Sequence, residues 1–136
     1  MKFKQPQYES QFEALPEKLR EICYDFEQLS VKNAVIPVVT RVTDPVHGES
    51  GVHPQHRAVD FRNQYSDGKV NRWLYPQETV QEIVETLNKK YPRTDGKLVC
   101  IHHSFAGGPF HYHVQIPYAW LTEDEKERLY GSDKLN

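Results

Sequence analysis

Cysteine is scarce in this chain. Cys23 and Cys100 are the only two, they lie far apart, and neither belongs to a Cys-x-x-Cys pair. This excludes a cysteine-rich structural metal site and makes buried thiols the expected state of both. Long apolar runs are missing as well: no stretch approaches the roughly 20 residues of a membrane helix. A surplus of positive charge is absent. Lys and Arg number 17 against 19 Asp and Glu, a formal net charge of -2. That argues against a nucleic-acid binder driven by phosphate neutralisation. The opening residues, Met1-Lys2-Phe3-Lys4-Gln5-Pro6-Gln7, lack the apolar stretch of a secretory signal, so a cytoplasmic product without signal peptide is expected. Repeats, low-complexity tracts and dividing linkers are also lacking. What remains is 136 residues, 26% charged and 38% apolar, which suits a single domain over residues 1–136 with one core.

Apolar spacing predicts the elements. Residues 1–14 are polar and read as an arm or a short helix. Pro16 opens a helix to about Leu29, whose Leu19, Ile22, Cys23, Phe26 and Leu29 form one buried face. Residues 33–42 are rich in Val and Ile and read as a strand, with Pro37 marking an edge or a bulge. Residues 43–55, punctuated by Asp44-Pro45, Gly48 and Gly51, form a loop. A strand follows at 56–62 and a second helix at 76–91, with Val80, Ile83, Val84 and Leu87 inward. Strands at 98–105 and 110–116 make a hairpin around Ala106-Gly107-Gly108-Pro109. A helix at 121–130 closes the chain, with Thr122 and Glu125 as a capping box. The fold class expected is α+β: a small, mainly antiparallel sheet with helices packed on one face.

The histidines then stand out. All seven fall between His47 and His113, and most sit in two patterns able to build one zinc site: His53-Pro54-Gln55-His56-Arg57-Ala58-Val59-Asp60 and Phe110-His111-Tyr112-His113. Successive strand side chains point to opposite faces. Residues 110–116 therefore place His111, His113 and Gln115 opposite Phe110, Tyr112, Val114 and Ile116. Residues 56–62 place His56, Ala58, Asp60 and Arg62 opposite Val59 and Phe61. In one antiparallel sheet, Asp60, His111 and His113 share a face, away from the helices. His102 and His103 point to opposite faces, so at most one of them reaches the site. Three protein ligands with a fourth position left for water is the usual make-up of a catalytic zinc.

These residues resemble the zinc peptidase superfamily of D-alanyl-D-alanine carboxypeptidases, L-alanyl-D-glutamate endopeptidases, penicillin-insensitive murein endopeptidases and the Hedgehog signalling domain. Its signature is usually written His-x-x-Gly-x-Ala-x-Asp, with a third ligand on a C-terminal strand. His53, Ala58 and Asp60 match the first part and His113 the second, over roughly residues 35–117. The His-x-His form, with His111 before the ligand, looks like the murein endopeptidase and Hedgehog branches. Two positions depart from the pattern. His56 stands where glycine is usual, and Phe110 stands where carboxypeptidase branches place a catalytic acid three residues before the third ligand.

The resemblance implies zinc held by His53, Asp60 and His113. It implies His111 as the acid–base group, or else a carboxylate from elsewhere such as Glu49, and Arg41 as the binder of a substrate carboxylate. The activity implied is hydrolysis of peptide bonds in peptidoglycan stem peptides or cross-links, as a carboxypeptidase or endopeptidase. The expected partner is a peptidoglycan peptide, with no nucleic acid and no membrane span. A small leaderless domain without a wall-binding module suits a phage lysin or particle component, released to the cell wall by a phage route. The alternative is a non-catalytic, Hedgehog-like zinc-containing binding module. A non-haem iron enzyme shares the two-His, one-carboxylate set, but those enzymes typically use a close His-x-Asp pair, which this chain lacks.

Overall fold

Proline stands at the start of three helices of this chain. The computed structural model describes residues 1–42, 56–66, 71–104 and 107–131. Helix α1 covers Pro6–Glu13 and α2 covers Glu17–Lys32. Pro16 takes the cap position of α2 in extended backbone, so the helix begins one residue after it. Glu17 in the first turn and Lys32 in the last suit the helix dipole. Pro76 does the same for α3, Gln77–Lys90, with Glu78 at its start and Lys89 and Lys90 at its end. Helix α4, Glu123–Tyr130, opens on the expected capping box. Glu125 N donates to Thr122 Oγ1 at 3.1 Å and Thr122 N donates to Glu125 Oε1 at 2.9 Å.

The strands are β1 (Lys2–Phe3), β2 (Val38–Arg41), β3 (Ala58–Arg62), β4 (Gln64–Ser66), β5 (Asn71–Trp73), β6 (Cys100–His103) and β7 (His111–Gln115). Five of them form one sheet in the order β1-β2-β3-β7-β6, and β4 pairs with β5 in a separate antiparallel ribbon. Among the described residues, β1–β2 is the one parallel pair of the large sheet. The class is therefore α+β with a mainly antiparallel sheet. Strand β2 is shorter than the run at 33–42 suggests, because α2 continues to Lys32 and a turn follows, with Ala34 N donating to Val31 O. Pro37 lies just before β2, which is an inner strand and not an edge; the irregularity of β2 is a register shift further on, between Val39 and Arg41.

One face of the sheet carries the core. Val59 and Phe61 of β3 and Tyr112 and Val114 of β7 are fully buried, together with Leu19, Ile22 and Phe26 of α2 and Ile83 and Leu87 of α3. Phe26 locks α2 to the sheet: its ring stacks on Phe61 at 4.2 Å and meets Tyr112 edge-on at 4.9 Å. Tyr75, also buried, shares a 2.8 Å hydrogen bond with Ser30. Asn88 of α3 holds the outer side of β6. Its Nδ2 donates to Cys100 O at 2.8 Å, and its Oδ1 accepts from Val99 N and Cys100 N, each at 3.0 Å. Cys23 and Cys100 are buried free thiols. Among the described residues no helix is long and apolar enough to cross a membrane.

Candidate metal centre

Register decides which side chains meet on the other face. In the β3–β7 ladder Asp60 pairs with His113 and Arg62 with His111. On the flanks, Arg41 of β2 pairs with Asp60, and His103 of β6 pairs with His111. Directly paired residues point the same way. One row therefore runs across four strands: Arg41, Asp60, then His113 and His111, then His103. The small side chain of Ala58 lies beside Asp60 in β3, as the sequence suggested.

Asp60 and His113 are the inner members of the row, 6% and 7% exposed. His113 Nδ1 lies 2.8 Å from Asp60 Oδ1. The opposite ring nitrogen, Nε2, is 3.2 Å from Gln115 Oε1, while Gln115 Nε2 donates to Leu98 O at 3.0 Å. That second bond fixes the amide so that its oxygen faces His113, and His113 Nε2–H donates to it. In the neutral ring the Nδ1 lone pair then faces the Asp60 carboxylate. Two lone pairs at this distance call for a cation between them, either a proton or a metal ion. Zinc ligand atoms with bonds of about 2.0–2.1 Å at tetrahedral angles stand roughly 3.3 Å apart. A small opening of the pair meets that geometry. An imidazole that donates its far N–H to a fixed acceptor is also the usual setting of a metal-bound histidine. Asp60 and His113 thus fit a zinc ion.

His111 sits one step outward. Its Nδ1 donates to Pro109 O at 3.2 Å, which leaves Nε2 as the basic nitrogen, 3.7 Å from Asp60 Oδ2. His103 follows, with its ring 4.7 Å from that of His111 and 5.7 Å from that of His113. Burial, then the neighbouring His111 and His113, hold the His103 imidazole below its ordinary pKa.

No family model matches this chain, and no curated protein or solved structure matches it either.

His53, the expected third ligand, and Glu49, the alternative base, lie outside the described residues. Among the described residues no group of three or more His, Cys, Asp or Glu side chains is disposed to hold a metal ion. Asp60 and His113 are the two members of the expected ligand set that lie within the described residues. His56 has a backbone φ of 59°, in the left-handed region that favours glycine. Arg41 closes β2 and lines the cavity beside Asp60.

The sequence pattern picks out Asp60 and His113 but not their supports. Gln115 lies on the face that alternation assigns to it, and its spacing of two from His113 is the sequence signal for its part. Asn63 carries no such signal. It is fully buried, its Nδ2 donates to His102 Nε2 at 2.8 Å, and its Oδ1 accepts from Tyr75 N at 2.8 Å. His102 is thereby tied to the core side, so only His103 of that pair joins the row.

Proposed function

We propose that the protein is a zinc-dependent peptidase acting on stem peptides or cross-links of peptidoglycan. The observation that carries this reading is the Asp60–His113 pair, buried, oriented by Gln115, and flanked by a second imidazole with a basic nitrogen toward the same side. Asp60, His113 and His53 are the residues that hold the metal in this reading. A zinc ion there supplies Lewis acidity for a water molecule and for the scissile carbonyl.

The chain's own residues account for the rest. His111 Nε2 takes a proton from the attacking water and returns it to the departing amine, so that one water is added and one C–N bond is broken. The Pro109 carbonyl keeps the ring in the required tautomer through Nδ1. Arg41 takes a substrate carboxylate through its planar fork. Phe110, at the place of the usual acid, contributes no proton chemistry. Release to the wall by a phage route belongs to the same reading.

One observation favours a second reading, a zinc-containing binding module. Asp60 is the only carboxylate lining the cavity at the site, so no acidic base accompanies it among the described residues. Incubation with purified peptidoglycan, followed by mass spectrometry of released fragments, separates the two. A peptidase yields new termini that vanish with chelator and return with zinc. A binding module retains zinc and releases nothing. Absence of zinc after reconstitution refutes both.

A further inference from the structure

The row carries two imidazoles besides His113. His103 of β6 and His111 of β7 sit directly opposite each other in the ladder, a position that brings two side chains of one face together. Their ring centres are 4.7 Å apart. His111 engages Pro109 O through Nδ1, so its Nε2 carries a lone pair. His103 Nε2 is enclosed by the protein and has no hydrogen-bond partner. A buried polar atom of this kind is held at a cost that a bound ion or water removes. His113 does not meet the need: its Nδ1 faces Asp60 Oδ1 and its Nε2 faces Gln115 Oε1.

The spacing suits one metal ion. A zinc–nitrogen bond of about 2.0–2.1 Å puts the centre of a coordinated imidazole about 3.2 Å from the metal, and two such rings at a tetrahedral angle stand about 5.2 Å apart. The observed 4.7 Å is close to that. The ring planes are inclined at 59° and not stacked face to face, so the edges that carry the nitrogens can turn toward one point. Asp60 Oδ2, 3.7 Å from His111 Nε2, places a carboxylate beside a cation held there. Both rings are reached from cavities. His111 lines the one of about 360 Å³ beside Asp60, and His103 lines one of about 500 Å³ bounded by β6 and α3. Imidazole nitrogen suits zinc, copper and nickel, whereas magnesium and calcium take oxygen. Among the described residues no group of three ligands forms, so water completes the coordination and the grip is weaker than that of a three-ligand site.

We infer that His103 and His111 form a second, weaker zinc site beside the one assigned to Asp60 and His113, and that filling it suppresses hydrolysis. A cation there takes the His111 lone pair, so Nε2 no longer accepts a proton from the attacking water. The binding stands on the geometry of the two rings. The suppression rests on the peptidase reading, with His111 as the base. A chelator at low concentration should then raise the rate in excess zinc, before a higher concentration removes the first ion and stops the reaction.

The test titrates the full chain, already holding one equivalent of zinc, with further zinc in a calorimeter. A second binding event is expected, tighter with copper and absent with magnesium. H103A and H111A should each remove it and keep the first equivalent. Should the variants fail to fold, ring-proton NMR of the native chain decides: the signals of His103 and His111 should move with the second equivalent, and those of His102, tied to Asn63, should not. The rate of fragment release, taken relative to each protein's own rate at one equivalent, should fall about tenfold or more in the native chain, as expected when a base is occupied, and stay level in H103A. A single zinc event, a second event that survives both variants, or loss of the first equivalent in H103A overturns the site. A second event without effect on release overturns the suppression. Fragment release with one zinc event alone sinks the site and leaves the peptidase standing. Two zinc events in a protein that releases nothing do the reverse.

Discussion

Replacing His111 by Ala is the sharpest probe of the proposed chemistry. The structure limits what else the change can do. His111 gives up one hydrogen bond, Nδ1 to Pro109 O at 3.2 Å, a ring contact with His103 at 4.7 Å, and the approach of its Nε2 to Asp60 Oδ2 at 3.7 Å. A net hydrogen bond is worth about 1 kcal/mol. The side chain is 19% exposed, so some apolar contact is lost too. A total of about 1–2 kcal/mol follows, or a Tm lower by roughly 3–8 °C for a chain of this size. The Asp60–His113 pair, held by Gln115, is untouched, and zinc should stay bound. Activity should fall by about 10²–10⁴, the range for a general acid–base group, which corresponds to about 2.7–5.4 kcal/mol of barrier. The assay combines metal analysis of the variant, its thermal melt, and the rate of fragment release from peptidoglycan. His113→Ala is the control and should lose metal and activity together. If His111→Ala releases zinc, His111 is a ligand. If it cleaves at the native rate, the base lies elsewhere, with Glu49 or His103 next to test.

Three further outcomes are expected. Phe26→Ala should lower unfolding stability by about 3–5 kcal/mol in a urea titration, since a fully buried ring stacked on Phe61 is removed; a loss under 1 kcal/mol contradicts the packing described. Cys23 and Cys100 should resist a thiol reagent in the native protein and react only on unfolding, because burial raises both thiols, Cys100 to about 12; prompt labelling would refute this. For Asp25, burial raises the carboxyl, but hydrogen bonds from Lys90 and Tyr91 and the Lys90 charge outweigh it and hold the pKa below the ordinary value. The group therefore stabilises the fold above its unfolded pKa of about 3.9 and loses that contribution as pH falls through the lower folded value. Asp25→Asn should flatten the stability curve below about pH 4, and an unchanged acid limb would count against it.

Alternation made the centre of the molecule legible. Val59 and Phe61 against Ala58, Asp60 and Arg62, and Tyr112 and Val114 against His111, His113 and Gln115, are enough to assign both faces of β3 and β7. That these two strands pair with each other, antiparallel, is a tertiary outcome the alternation alone does not give. What stayed hidden is short or distant. Strand β1 has two residues and the β4 and β5 strands three each, too few for a period to register. The approach of Lys4 to the site depends on a parallel contact between segments some 35 residues apart. No local pattern announces such a contact. The roles of Asn63 and Gln115 are tertiary hydrogen bonds, and polar residues at strand ends ordinarily face water.

The grip of Asn88 on β6 bears on how these molecules behave in one another's company. An outermost strand offers unpaired amides to any passing chain, and sheets grow by addition at such places. Here a single side-chain amide occupies the start of that strand, presenting an oxygen and a nitrogen where a neighbour's backbone would dock. At the opposite border β1 is only two residues long and is flanked by Lys2 and Lys4. Short length and lysine charge are both obstacles to stacking. Aggregation is thus opposed at both borders by features outside the Asp60–His113 pair, which leaves that pair's face available for a ligand without exposing the sheet to its own kind.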